Sequence, residues 1–248
     1  MVHRLRIDSG ARRVRTGFAF LPAALAALAA AGLTAGCASS TEEALNETLS
    51  ARAVAGDFAS IAVTDIRCNS ASEACAKSHA TKGDACLRLA IEQPQSASAQ
   101  DSRMRDLLDC AETGYRKALA LQPDKKATSR VSYHGGLLLT LSERRNRLDD
   151  VKDKKLDREN EKLLMAAQDA RREVPGSALG FLYGASAHVY RATLKPTGRA
   201  RCNDLRQAES MLQRSPSPPV ELAGEEQRIR SLVQRQLRSN GCPRVRRL

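Results

Sequence analysis

Tryptophan is absent from these 248 residues, and aromatic side chains make up only 3% of them. Any core must therefore be built from Ala, Leu and Val. Small aliphatic cores suit closely approaching helices better than sheets, which draw on aromatic and β-branched residues. No long segment alternates apolar and polar residues, so strands have no strong candidate. No Cys-x-x-Cys occurs, and His3, His79, His134 and His188 do not fall among the cysteines at zinc-like intervals. Neither a metal nor a cofactor is expected. The apolar stretch from Phe18 to Leu33 is interrupted by Pro22 and Gly32 and falls short of the roughly 20 residues that a spanning helix needs.

What is present begins with a leader. Residues 1–17 are basic and precede that apolar stretch, the layout of a secretory signal. It ends in Leu33-Thr34-Ala35-Gly36-Cys37, which resembles the lipobox of bacterial lipoproteins. Ala35 and Gly36 fit that pattern, while Thr34 stands where Leu is commoner. The resemblance implies that 1–36 is removed and that Cys37 becomes the acylated N-terminus. Several acyl chains, at about 0.8 kcal/mol per buried methylene, make a durable anchor. Ser39, two places after Cys37, favours the outer over the inner membrane by the same resemblance, with the protein facing the periplasm. Arg12-Arg13 is followed by Val14-Arg15-Thr16, a poor fit to a twin-arginine signal.

The formal charge is +12. Arg4, Arg6, Arg12, Arg13 and Arg15 against Asp8 put +4 of it in the leader, which leaves a mature chain at +8. Such a balance speaks of anionic surroundings rather than of fold. Nucleic-acid binding would need cytoplasmic access and stacking aromatics, and neither is expected here.

Apart from Cys37, six cysteines remain, and an exported chain matures where paired thiols are expected. Helical periodicity arranges them. Residues 72–92 read as one helix and 102–121 as the next. If the two fold back on each other, positions whose numbers total about 194 face one another, which sets Cys86 nearly opposite Cys110. Cys202 opens one helix and Cys242 closes the next, adjacent ends of an antiparallel pair. Cys68 and Cys75 are left to clip the turn before the first of these helices.

The chain reads as all-α. Helix-stop chemistry recurs at Pro123-Asp124, Pro175-Gly176 and residues 215–219, "SPSPP". In Tyr115–Asp124, "YRKALALQPD", an aromatic is followed by Ala118-Leu119, then Leu121, then Pro123. With Ala111, this order resembles the close of a tetratricopeptide repeat (TPR). Weaker echoes are Leu163, Ala167, Ala170 and Pro175, and then Ala208 and Leu212. Gly83, Gly135 or Gly136, and Gly184 stand where a small residue eases helix packing. Pro175 follows Pro123 by 52 residues, against the roughly 34 of the family, so insertions are expected. The resemblance implies antiparallel hairpins stacked as a short TPR-like α-solenoid. The expected organisation is a signal peptide (1–36), a tether (37–42), a TPR-like helical domain (43–240) and a basic tail (241–248). Within the domain, an N-terminal helical segment (43–67) and a closing helix (220–240) flank the hairpins. An open stack end needs such a cap.

Three features bear on chemistry. Tyr133–Gly136, "YHGG", resembles an esterase oxyanion loop, and Ser186 in "GASAH" could serve as its nucleophile. His188 stands where that motif wants Gly, and both stretches lie in helical rather than strand-to-helix patterns, so packing glycines are the preferred reading. The mixed-charge run 149–162 reads as a solvated helix extension with pairs such as Asp150–Lys154. Arg228, Arg230, Arg235, Arg238 and the tail 243–248 make a basic end, for which surface solubility is the preferred reading and weak attraction by envelope anions the other. The expected function is therefore not enzymatic. It is an envelope scaffold binding proteins or peptides in a helical groove. Tyr133, Tyr183, His188 and Tyr190 lie on first helices, which line the groove in the family it resembles, but they serve equally well as core or edge residues. The alternatives are an esterase-like hydrolase using His134 and Ser186, and a ligand-binding partner of a transporter.

Overall fold

The computed structural model describes residues 39–94, 98–99, 101–148 and 154–243. The leader 1–36 and Cys37 lie outside the described residues, as do 149–153 of the charge run and 244–248 of the tail. Among the described residues there are nine α-helices and no strand: α1 (Ser39–Val54), α2 (Phe58–Val63), α3 (Glu73–Glu92), α4 (Ser102–Leu121), α5 (Ser129–Asn146), α6 (Lys154–Glu173), α7 (Leu179–Leu194), α8 (Arg199–Arg214) and α9 (Val220–Ser239). None of these is long and apolar enough to cross a membrane.

The helices begin and end where local chemistry directs. Gly56, at φ 76°, follows the end of α1, and the Asp57 carboxylate accepts the Ser60 N–H at 3.2 Å to start α2. Ser72 Oγ accepts the Cys75 N–H at 3.1 Å at the start of α3. Two boundaries differ from the sequence reading. Residues 39–42 of the expected tether already belong to α1, and the expected segment 43–67 is two helices followed by extended chain from Thr64.

Each helix from α3 onward packs on the next, while α1 and α2 pack on α3. Neighbours run antiparallel. Cys86 of α3 faces Cys110 of α4, Arg145 of α5 faces Asn160 of α6, and His188 of α7 faces Asp204 of α8. A second layer of contact joins α3 to α5, α5 to α7 and α7 to α9. The spacing between successive hairpins is long because the helices themselves run 16 to 20 residues.

The main core gathers Leu137, Leu138 and Leu141 of α5 with Leu163, Ala167 and Ala170 of α6. A second core joins Leu182 and Val189 of α7 to Met211 and Leu212 of α8 and to Ile229 and Val233 of α9. Small residues set the helix separations. A Cβ on Gly114 would stand 2.7 Å from the His79 carbonyl oxygen, and one on Gly180 would stand 2.7 Å from that of Ala167. Tyr115 fills the space that Gly136 leaves open, and its hydroxyl donates to Asp84 Oδ1 at 2.6 Å, so one aromatic ties α4 to both α3 and α5.

Three disulfides join Cys68 to Cys75, Cys86 to Cys110 and Cys202 to Cys242, with Cα–Cα distances of 5.8, 6.0 and 5.5 Å. Cys68 Sγ, Cys75 Sγ and a ring nitrogen of His79 lie within 4.8 Å of one another. Both sulfurs are spent in the bridge and offer no thiolate.

Candidate functional site

The charge run 149–162 is not simply solvated. From its described part, Leu156 and Asn160 are each only 2% exposed. They open a buried stripe that continues through Leu163, Ala167 and Ala170, at helical intervals along α6. Asn160 Nδ2 donates to the Ala187 carbonyl at 3.1 Å, and its Oδ1 accepts from Arg145 Nη1 at 3.2 Å. A polar residue inside an otherwise apolar stripe thus ties α5, α6 and α7 together.

Arg145 is the centre of this arrangement and is itself 2% exposed. Its Nε and Nη2 donate to Asn146 Oδ1 at 3.2 and 3.1 Å, and Nη2 also donates to Ser186 Oγ at 3.2 Å. The guanidinium carbon lies 5.1 Å from the centre of the Tyr190 ring. Burial pulls the Arg145 pKa down to about 10, the cost of holding a cation away from water. On α7, Tyr183, Ser186 and Tyr190 recur at helical spacing and are half-buried, so they form one stripe in front of Arg145. Burial raises the Tyr183 hydroxyl pKa, and the carboxylates of Glu225 and Glu143 add to the rise.

The structure separates the residues that the hydrolase alternative would need together. His134 Nε2 stands 3.2 Å from Glu173 Oε2, and Glu173 also pairs with Arg130. Burial raises the Glu173 pKa, but hydrogen bonds from Arg130 and His134 outweigh it and leave the carboxyl below its usual range. An ionised carboxylate only accepts, so His134 carries its proton on Nε2. Burial lowers the His134 pKa. Ser186 engages Arg145, which lies eleven residues beyond His134 on the same helix, roughly 16 Å along its axis. His134 and Ser186 are therefore held at different ends of α5.

The four first-helix residues left open between groove and core divide. Tyr183 and Tyr190 lie on the half-buried stripe, whereas Tyr133 is 5% exposed and packs against Ala76, Ala80 and Ala118. His188 takes the core side of that choice. Its Nδ1 lies 3.2 Å from Asp204 Oδ1, beside Arg191 and Lys195 at 2.7 and 2.5 Å from the same carboxylate, so it belongs to the α7–α8 interface. A cleft of about 310 Å³ lies between α4, α5 and α6, bordered by Arg116, Lys125, Arg130, His134, Asp169 and Glu173. Arg145 and Asn160 were not singled out by the sequence. Asn160 carries a signal in retrospect, as the one polar residue in register with Leu156, Leu163 and Ala167. No family model, curated protein or solved structure matches this chain.

Proposed function

We propose that this chain is an envelope lipoprotein, anchored through Cys37, that works as a protein–protein interaction scaffold. In this reading, the hairpins α3–α4, α5–α6 and α7–α8 are TPR-like units capped by α9. The face made by α5, α7 and α9 then receives an extended peptide or a partner protein on the periplasmic side of the outer membrane. The observation that supports it best is the half-buried stripe of Tyr183, Ser186 and Tyr190 backed by Arg145. Amphipathic rings beside a buried guanidinium are the residue types that dominate binding energy at interfaces. The lipid anchor is independent of that face and rests on the sequence ending in Cys37.

Two measurements test the two halves. Radiolabelled palmitate should enter the wild-type chain and not Cys37→Ala; equal labelling would remove the anchor. Crosslinking in detergent-solubilised envelope should recover a partner with wild type, and Tyr183→Ala/Tyr190→Ala should lose it. Recovery of nothing above background by the wild type would end the scaffold reading.

A further inference from the structure

Three arginines are buried among the described residues. Arg130 pairs with Glu173, and Arg147 pairs with Glu143 at 3.1 Å. Arg145 differs. Its four hydrogen bonds end on the neutral oxygens of Asn146, Asn160 and Ser186, and among the described residues no carboxylate forms an ion pair with it. Taking a guanidinium out of water is costly unless an opposite charge replaces the lost hydration. Neutral hydrogen bonds and the Tyr190 ring supply part of that replacement.

The surroundings of Arg145 are not equally closed. Asn160, 2% exposed, fixes Nη1 from α6, and Ser186 and Tyr190 hold the guanidinium from α7. Asn146, the last residue of α5, is exposed, and its single Oδ1 covers both Nε and Nη2. That pair of nitrogens is the edge to which a carboxylate binds with two parallel bonds. Tyr183 and Tyr190, seven residues apart on α7, extend the surface by roughly 10 Å. This is longer than a small organic acid and fits a stretch of peptide.

We propose that the Nε–Nη2 edge of Arg145 is a subsite for a carboxylate of an acidic peptide segment, covered by Asn146 until the ligand displaces it. This rests on the peptide-binding reading above. A ligand carboxylate takes the two bonds that Asn146 Oδ1 now accepts and brings a directly bonded counter-charge, where Glu225 acts on Arg145 only through space. The positive balance of the chain favours an acidic partner in the same sense.

The subsite is tested first without any partner. Acetate serves as a bare carboxylate probe on the ¹⁵N-labelled chain, with the Arg145 Nε–Hε resonance assigned by its loss in Arg145→Lys. Acetate should move that resonance saturably, and chloride at matched ionic strength should not. Asn146→Asp should raise the Tm and abolish the acetate response, because the counter-charge is then part of the chain. An acid at the last residue of a helix opposes the helix dipole, so a rise in Tm reads the new ion pair. Indistinguishable acetate and chloride responses, or a lowered Tm in Asn146→Asp, would overturn the subsite. A fluorescent acidic peptide should then bind about tenfold or more tightly than its Asn/Gln counterpart, the scale of a lost charge-assisted hydrogen bond. Equal binding of the two peptides, with the acetate response intact, would overturn the peptide as occupant. An empty envelope crosslinking experiment beside an intact acetate response would fault the scaffold and leave the subsite standing.

Discussion

A methyl group at position 136 would fall 2.1 Å from the Tyr115 ring carbon Cζ, and Tyr115 is only 1% exposed. Tyr115 cannot retreat without giving up its hydrogen bond to Asp84 and its place against α5. Gly136→Ala is therefore expected to destabilise the fold by about 1–3 kcal/mol, the usual range for overpacking, measured as a drop in the denaturation midpoint. An unchanged midpoint would mean that the α4–α5 separation is set elsewhere. Gly83, Gly184 and the pair Gly135/Gly136 were legible because each sits inside a helical pattern where a breaker has no other use, though the pattern did not choose between Gly135 and Gly136. Gly114 and Gly180, where a Cβ would stand 2.7 Å from the backbone of the neighbouring helix, were not singled out. A glycine's value depends on what crosses it, and for Gly114 that is the α3 backbone at His79 and Gly83. A single sequence does not display its crossing partner.

At the scale of elements, periodicity and punctuation were enough to place α3, α4 and α9 to within a residue or two. Apolar residues at helical intervals, bounded by Ser72, Pro123 or residues 215–219, leave little freedom. The bridges follow from the same register: Cys86 and Cys110 lie across an antiparallel pair, and Cys202 and Cys242 lie at adjacent ends. What composition concealed was α6. Charge on one face of a helix and burial on the opposite face coexist within 155–162, where the buried members are Leu156 and Asn160. Such a mixed run looks solvated until its neighbour is known. The Cys202–Cys242 bridge is the covalent tie of α9 to α8. Its removal in Cys202→Ala/Cys242→Ala should cost about 2–4 kcal/mol. Amide exchange should then quicken in α9 before it does in α5. Uniform quickening along the chain would show that α9 is not a separate unit of stability.

For the whole molecule, acid sensitivity follows from its histidines. His79, His134 and His188 are all buried, and burial lowers each pKa below its ordinary value. Unfolded, they titrate near about 6.5. Below that pH the unfolded chain takes up protons that the folded chain resists, so stability falls as the pH drops from 7 toward 5. Asp204 and Glu173 act further down. Although burial raises the Asp204 pKa, hydrogen bonds from Lys195, Arg191 and His188 outweigh it, and both carboxyls end below their usual range. Their contribution is present above the unfolded carboxylate pKa of about 4 and is lost as the pH falls through the folded value. Chemical denaturation at pH 7.5, 5.5 and 4 should give a monotonic fall. Greater stability at pH 5.5 than at 7.5 would mean that pairing of the imidazoles with Glu173 and Asp204 outweighs burial.

The position of the three bridges also decides how the molecule yields to pulling. A load applied through the chain passes across each sulfur–sulfur bond and bypasses the residues it encloses, which are 69–74, 87–109 and 203–241. α9, most of α8, the last six residues of α3 and the first eight of α4 cannot be drawn out while the bonds last. The long extensible stretch is 111–201, and it holds all of α5, α6 and α7. Arg145, Asn160, Ser186 and Tyr190 lie wholly within it. A stretched molecule would give up its middle first and dismantle the Arg145 cluster before either bridged end yielded.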